Sequence, residues 1–303
     1  MRSVEDIIEK KIKLLESVGE EFLEQVQKTQ LKLYRELLEI LGSLEISKGR
    51  IVLNTENLRI TEDVLEELRE MLFGSEYIEA VRSVASGMEK GKELSDEYFQ
   101  KAFPDFSQSE LADKIFENSK KNAVDLLAGA TPETGFLQEL KDEISLAVNS
   151  GASWQDTVDR LRLIAIGDET QEVDGKLLKY AKQVASDSIA ISDRSYNSAI
   201  ADELESEWFL FAGDVLPTSR QFCIERSWKY FHYKEVESWA ELEWSGKNDA
   251  TNKETIYSTL GGWRCQHSLI PVSIDTVPRD VIERNMANGN FTPSEFEKQE
   301  LEL

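Results

Sequence analysis

The sequence predicts a mainly α-helical protein, in which a long helical N-terminal body is followed by a small α+β C-terminal module. Apolar residues recur at three- and four-residue steps over most of the first 205 positions, which is the spacing of one buried helix face. The composition changes after Ser206. Five of the six Trp, both Cys and both His lie between residues 208 and 267, among short aromatic stretches bounded by Gly and Pro that favour strands.

The composition also restricts the classes of partner. The chain carries 35 Lys and Arg against 58 Asp and Glu, a net charge of -23, and DNA binding gains most of its affinity from cations placed on phosphates. Strong non-specific DNA binding is therefore not expected. No apolar run approaches the roughly 18 residues of a membrane helix, and the N-terminus alternates charged with apolar residues, unlike a signal peptide. We expect a soluble protein with no disulfide framework, since it has only two Cys.

Residues 1 to about 45 predict one long amphipathic helix or a broken pair. Its apolar stripe starts at Val4 and continues at three- and four-residue steps to Leu41. The stripe either packs within its own domain or is offered to a partner chain, because periodicity indicates only that the stripe is buried.

The rest of the body is predicted from capping and turn residues. The stretch RIVLNTENLRI, 50–60, predicts a short strand or an irregular connection, with Thr61 capping the helix that follows. Ser153 is a second predicted cap, and a long helix is expected from about 176 to 205. Further helices are expected at 75–90, 95–103, 108–128 and 133–149. The predicted domains are a helical region 1–125, a second helical region 126–205, the α+β module 206–275 and a peripheral tail 276–303.

The module holds all the Cys and His of the chain: Cys223, His232, Cys265 and His267. Cys265 and His267 are two apart, so on a strand both would project from one face. Two thiolates and two imidazoles would complete a structural zinc site, although Cys223 and His232 do not share one helical face. Other interpretations stay open: buried apolar filling, a disulfide outside a reducing compartment, a histidine bonded to backbone, or a catalytic Cys–His pair, which needs a third orienting group.

Two stretches of the module stand out, GDVLPTSRQFC at 213–223 and GGWRCQHSLIPVS at 261–273. Together they resemble the C-terminal module of the phage Mu F-like head morphogenesis family, the minor capsid proteins of tailed phages. The likeness covers about residues 204–275 and departs from the family pattern at Gln266, where Arg is more typical. The matching residues are Asp214, Thr218, Ser219, Arg220, Cys223, Gly261, Gly262, Cys265, His267, Pro271 and Val272.

The resemblance implies a minor head protein, located in the virion at the capsid interior or portal vertex after assembly in the host cytoplasm. It would act in head morphogenesis or genome delivery, with the portal protein and other head proteins as partners, and region 1–125 would dock on the portal. In the module, Gly261 and Gly262 would form a turn, Trp263 would anchor the core, and Cys265 with His267 would tie the last strand back to Cys223. No catalytic residue is implied, and no cofactor beyond a structural zinc.

The alternative is a zinc-dependent hydrolase or toxin-like enzyme built on the Cys/His cluster. The sequence contains neither H-E-x-x-H nor H-x-E with paired cysteines, which are the zinc-hydrolase and deaminase signatures. We therefore expect no enzymatic activity. A third interpretation is a host-encoded helical scaffold. The neighbouring genes would distinguish it from a phage protein, since portal and terminase genes beside the gene for this chain would indicate a phage protein.

Overall fold

The computed structural model describes residues 3–129 and 132–294, and its mainly helical chain with a small strand-containing C-terminal module confirms the predicted fold class. The helices are α1 (Val4–Gly42), α2 (Thr55–Leu72), α3 (Ser75–Ala102), α4 (Glu110–Ala128), α5 (Gln138–Ser150), α6 (Trp154–Ala165), α7 (Lys176–Glu203), α8 (Gln221–Ile224), α9 (Tyr233–Ser238), α10 (Ile256–Thr259) and α11 (Arg279–Ala287). The strands are β1 (Ile46–Ser47), β2 (Arg50–Ile51), β3 (Gly167–Asp168), β4 (Val173–Asp174), β5 (Trp208–Ala212), β6 (Lys229–His232) and β7 (Ser268–Pro271). A π-helical turn, Glu133–Leu137, leads into α5, and 3-10 turns occur at Glu169–Gln171, Trp239–Glu241 and Ile274–Thr276.

The first helix, α1, is a single helix and not a broken pair. Ser3 and Asp6 cap its start reciprocally: the Asp6 N–H donates to Ser3 Oγ at 3.1 Å, and the Ser3 N–H donates to Asp6 Oδ2 at 2.9 Å, which satisfies N–H groups that have no partner within the helix. Most of the predicted apolar stripe is buried, as at Ile7, Val26 and Leu37. None of the described helices combines the length and the apolar composition that a membrane crossing requires.

Helix α2 begins earlier than predicted. Asn54 caps it and accepts from the Asn57 N–H at 2.8 Å, whereas Thr61 lies inside the helix and donates its hydroxyl to the Asn57 carbonyl. The buried Asn57 side chain also bonds backbone on both sides of the β1–β2 hairpin. Those bonds hold residue 57 at the first turn, so the cap at 61 predicted from sequence is wrong.

Helix α3 continues through Gly87 and Gly91, where the sequence predicted two helices. A Cβ at Gly91 would lie 2.7 Å from Leu15 Cδ2, so the glycine permits close packing of α1 on α3. Glycine inside a helix costs about 1 kcal/mol relative to alanine. The packing that it allows offsets this cost, and the glycine does not end the helix.

The chain forms two compact units, called here unit 1 and unit 2. Within the described residues, unit 1 comprises 3–17, 87–121 and 186–294, and unit 2 comprises 18–86, 122–129 and 132–185. These borders do not coincide with the boundaries predicted near 125, 205 and 275. The reason is that α1, α3, α4 and α7 each contribute residues to both units.

Unit 2 is built around α5, which packs against α2 and α6. Ser153 caps α6 as predicted and accepts from the Asp156 N–H at 3.4 Å. The β1–β2 hairpin joins the same cap, since the Trp154 N–H donates to the Gly49 carbonyl at 3.0 Å. Local capping residues and one hairpin thereby place the short helices of this unit.

Unit 1 contains an antiparallel sheet of three strands in the order β6-β5-β7. Both predicted strands, β5 and β7, are present, and every residue of each is buried. Trp208 pairs with His232 at one end of β5, and Ala212 pairs with Ser268 at the other. The sheet packs on a core that includes Phe211 and several short helices.

A buried polar cluster in unit 1 joins α1, α3, α7 and β7. Lys11 Nζ lies 2.7 Å from Asp193 Oδ1 and donates to Ser95 Oγ at 3.0 Å. The other carboxylate oxygen, Asp193 Oδ2, accepts from Ser268 Oγ at 2.7 Å and from Asn197 Nδ2 at 3.2 Å. All five side chains are buried, so each charge is compensated inside the protein, as buried charges require.

The segment after β7 is packed and not peripheral over its described part. Helix α11 buries Val281 and Ile282. Phe291 is also buried, and its ring centroid lies 5.3 Å from that of Trp208. The prediction of a peripheral tail is therefore wrong for this part, because α11 has an apolar face of its own. Residues 295–303 of the predicted tail lie outside the described residues.

Candidate functional site

Three of the four predicted ligand residues meet in unit 1. The sulfur atoms of Cys223 and Cys265 are 3.8 Å apart, and Cys265 Sγ is 3.8 Å from His267 Nδ1. The three ligand atoms all lie within 4.8 Å of one another, and all three residues are buried. The structure thus brings Cys265 and His267 to Cys223, the contact that the resemblance implies.

Cys223 is positioned by the single-turn helix α8. Its N–H donates to the Arg220 carbonyl at 2.9 Å. The preceding residue, Phe222, stacks on Trp244 with ring centroids 4.2 Å apart and meets the Trp239 ring edge-on at 5.6 Å. The aromatic core therefore fixes the turn that carries the first sulfur.

Cys265 and His267 lie in the turn before β7, which begins at Ser268. The prediction that both sit on one face of a strand is therefore wrong. Arg264 has a positive φ of 60°, and the Cys265 N–H donates to the Gly262 carbonyl at 3.2 Å. This tight turn brings the Cys265 sulfur to the His267 ring without a strand.

The glycine pair is required by close approaches as well as by backbone angles. A Cβ on Gly261 would lie 2.6 Å from the sulfur of Cys223 and 2.7 Å from that of Cys265. Gly262 has φ +88°, and a Cβ there would lie 1.9 Å from the Gly246 carbonyl oxygen. The predicted turn is confirmed. The close approaches that require glycine at both positions cannot be read from the sequence.

Two arginines hold the loop that carries Cys265. Arg220 donates to the carbonyls of Gly261 at 3.2 Å and Trp263 at 2.5 Å. Arg194, which is 2% exposed, donates to the Cys265 carbonyl at 2.6 Å. Arg220 was predicted as a motif residue, but Arg194 was missed. Its one signal in the sequence is that it is the only Lys or Arg between 183 and 219.

The contact between the two sulfur atoms shifts the pKa values of the two thiols in opposite directions. The hydrogen bond with Cys223 holds the pKa of Cys265 well below its ordinary value; burial opposes the effect, while His267 and Arg194 add to it. The same bond, together with burial, raises the pKa of Cys223.

Comparison with known proteins reveals no relative of the chain. No family model, curated protein or solved structure gives a significant match to the chain. The likeness to the Mu F-like module consequently rests on the two stretches 213–223 and 261–273 themselves.

His232 lies apart from the cluster, which corrects its prediction as a metal ligand. It pairs with Trp208, whereas the cluster adjoins the other end of β5, where Ala212 pairs with Ser268. Four residues of strand separate these ends, a distance of about 13 Å at 3.3 Å per residue. His232 instead caps α9 in a capping box with Glu235, a role that needs its Nδ1 as an acceptor.

Trp263 does not anchor the core as predicted. Its side chain is 44% exposed. Its backbone N–H donates to the Gly246 carbonyl at 3.0 Å and so holds the turn. Trp239 and Trp208 are the buried tryptophans of the module, with 5% and 3% exposure. The turn geometry around Gly262 turns the Trp263 ring outward.

The other motif residues have structural contacts or lie at the surface. Asp214 is exposed and accepts from Trp228 Nε1 at 2.9 Å. Thr218 is exposed in the loop before α8. Pro271 lies on the edge strand β7, and its carbonyl accepts from the Tyr98 hydroxyl at 2.7 Å. Neither the Asp214 contact nor the Pro271 contact involves a residue of the cluster.

The cluster has the chemistry of an internal cross-link. A catalytic thiolate or a zinc-bound water must reach a substrate, and the burial of Cys223, Cys265 and His267 removes that access. Thiolates and imidazole are suitable ligands for a borderline-soft ion. The arrangement therefore favours a structural role for these three side chains.

Proposed function

We propose that the protein is a minor head protein of a tailed phage, located in the virion at or near the portal vertex. It acts there in head morphogenesis, in genome delivery, or in both. Its partners are the portal protein and other head proteins, and it is assembled in the host cytoplasm.

The observation that carries the proposal is that the two stretches resembling the Mu F-like module form one folded unit. Arg220 of the first stretch bonds the carbonyls of Gly261 and Trp263 of the second. Cys223 of the first stretch contacts Cys265 of the second at 3.8 Å. Residues of the family pattern thus contact one another across a sequence separation of about 40 residues, as expected if the likeness reflects a common module.

Net charge supports a place beside packaged DNA. A strongly cationic protein would be held on the phosphates by counterion release, and this chain has a net charge of -23. A protein that must stay mobile near the portal, or leave with the genome, gains from such weak attraction to DNA.

The test is mass spectrometry of purified virions and proheads from the phage that encodes the chain. We expect its peptides in both particles, at far fewer copies than the major capsid protein, and we expect the chain to co-purify with the portal protein of the same phage. Its absence from proheads and virions alike would overturn the proposal.

A deletion of the gene separates the two proposed actions. Loss of normal heads indicates a role in morphogenesis, whereas normal heads that fail to deliver DNA indicate a role in genome delivery. Normal yields of infectious particles without the protein would contradict both.

A further inference from the structure

We infer that Cys223, Cys265 and His267 bind one structural zinc ion, which cross-links α8 to the turn before β7. The inference concerns the folded chain alone, so it does not depend on the proposed function.

The distances between the ligand atoms match a tetrahedral ion. Two sulfur atoms that are each about 2.3 Å from zinc lie about 3.8 Å apart, and a sulfur and a nitrogen ligand lie about 3.6 Å apart. The observed separations are 3.8 Å for Cys223 Sγ to Cys265 Sγ and 3.8 Å for Cys265 Sγ to His267 Nδ1. All three ligand atoms lie within 4.8 Å of one another, so the third pair exceeds the tetrahedral spacing by about 1 Å at most.

A disulfide fits the same geometry less well. Bonded sulfurs are about 2.05 Å apart, so Cys223 and Cys265 would have to approach by about 1.8 Å from their 3.8 Å separation. Their backbones are held on both sides by Arg194, which bonds the Cys265 carbonyl, and by the aromatic packing of Phe222. A zinc ion would bind the two sulfur atoms at their observed separation of 3.8 Å.

The His267 ring has an unmet bonding capacity. It is 4% exposed, its Nε2 has no hydrogen-bond partner among the described residues, and its Nδ1 makes only the long contact with Cys265 Sγ. A buried imidazole with no strong hydrogen bond is unfavourable. Coordination would satisfy one ring nitrogen directly.

The ligand set and the surrounding charges select zinc. Thiolates with imidazole suit zinc better than the oxygen-preferring magnesium or calcium, and two thiolates neutralise a divalent ion. Arg194 bonds the Cys265 carbonyl at 2.6 Å and Arg220 bonds the Gly261 carbonyl at 3.2 Å, so both guanidinium groups hold the loop that carries the cluster. The described residues supply three ligands, which form one face of a tetrahedral ion.

Gly261 provides room beside both sulfurs. A Cβ there would lie 2.6 and 2.7 Å from the sulfurs of Cys223 and Cys265, so any other residue would displace the two side chains that bind the ion. The same glycine carbonyl is held by Arg220 at 3.2 Å, which keeps the backbone from filling the space.

The experiment measures zinc on the full chain, expressed in zinc-supplemented medium and desalted. We expect about one zinc per chain in the wild type. His267→Asn and Cys265→Ser should weaken zinc binding by at least about tenfold. His232→Asn is the matched control, because it makes the same exchange outside the cluster and should retain the zinc.

A second measurement keeps the inference testable if the cluster variants fail to fold. Cobalt(II) exchanged into the wild type should give thiolate-to-cobalt charge-transfer bands and intense tetrahedral d–d bands. A wild type that takes up neither metal, or that carries a Cys223–Cys265 disulfide when purified, overturns the inference. Absence of the protein from virions would leave this result unchanged, so the two proposals fail separately.

Discussion

The His232 imidazole is buried against the ring of Trp208, and its Nδ1 accepts the Lys234 N–H at 3.4 Å. Its pKa is lowered from 6.5 to about 4, mainly by burial and also by the charge of Lys234, while Glu235 opposes the shift. The folded protein thus holds an uncharged histidine over a pH range in which the unfolded chain binds a proton.

Stability should therefore decrease as the pH falls from about 7.5 toward 4. The unfolded state binds more protons in this window, and the free energy of unfolding contributed by His232 falls by about 2 kcal/mol between pH 7.5 and 5. His232→Asn keeps a capping oxygen and removes the titration, so urea denaturation of the two proteins should give curves that converge at low pH. Parallel pH profiles would contradict the assignment.

Gly261 should not tolerate even alanine. The added Cβ would lie within 2.7 Å of both sulfurs, so the turn must shift and the free energy of unfolding should fall by about 1–3 kcal/mol. Gly19→Ala is the matched control, because nothing lies within 4 Å of its added Cβ inside α1; it should be neutral or stabilising by up to about 1 kcal/mol. Equal urea midpoints for both variants would show that the space beside the sulfurs is not needed.

At the scale of elements, the buried pair of Lys11 and Asp193 joins α1 to α7, and the Ser268 hydroxyl extends the contact to β7. Breaking a buried pair is costly because the remaining charge stays uncompensated. The same partners can be replaced together at a much smaller cost, so the pair can be tested by a double-mutant cycle.

Lys11→Met should lower the free energy of unfolding by about 3–5 kcal/mol, because it leaves the Asp193 carboxylate buried without its cation. Lys11→Met combined with Asp193→Asn should recover a large part of the loss, since the amide is neutral and still bonds Ser268. Thermal or urea denaturation of the single and double variants measures this. Additive losses would show that the two side chains do not interact.

The elements that were predicted correctly are those whose signals are local. The apolar stripe of α1 and the cap at Ser153 depend on residues a few positions apart. From the local sequence, Gly91 predicts the end of a helix. Its packing partner, Leu15, is 76 residues away, so no local pattern reveals that the helix continues. The cap of α2 is Asn54 and not Thr61, because the Asn57 side chain bonds the backbone of the hairpin.

For the candidate site, too, local signals in the sequence predicted part of the arrangement, and the rest depended on long-range contacts. Residue type was enough to select Cys223, Cys265 and His267, because thiols and imidazoles are rare in this chain. The exclusion of His232 depends on the strand register at Trp208, and the role of Arg194 depends on α7 meeting a loop 71 residues later. Neither follows from spacing.

At the scale of the whole molecule, a net charge of -23 dominates any encounter with a polyanion. We expect no appreciable binding of random-sequence duplex DNA at physiological salt, because phosphate contacts need a local excess of Lys and Arg. Fluorescence anisotropy with a labelled duplex tests this. Sub-micromolar affinity that weakens steeply with added salt would contradict it.

Contact with the portal should involve the helical body. Leu31 and Leu53 of unit 2 lie in region 1–125 and are 42% and 57% exposed, so changing both to Glu should weaken co-purification with the portal without unfolding the chain. Leu216 and Leu242 of unit 1 are 43% and 44% exposed and provide the matched double change to Glu, which should have little effect. The opposite pattern would place docking on the C-terminal module.

The discontinuous chain of unit 1 has a consequence for synthesis. Its first segment, residues 3–17, includes Lys11, whose partner Asn197 is 186 residues downstream. At about 5–20 residues per second, a ribosome needs on the order of 10–40 s to make the intervening chain. During that time the start of α1 can pack only on earlier parts of unit 1 such as α3, which supplies Ser95 and the contact at Gly91, and its contacts with α7 must wait until that helix has been synthesised.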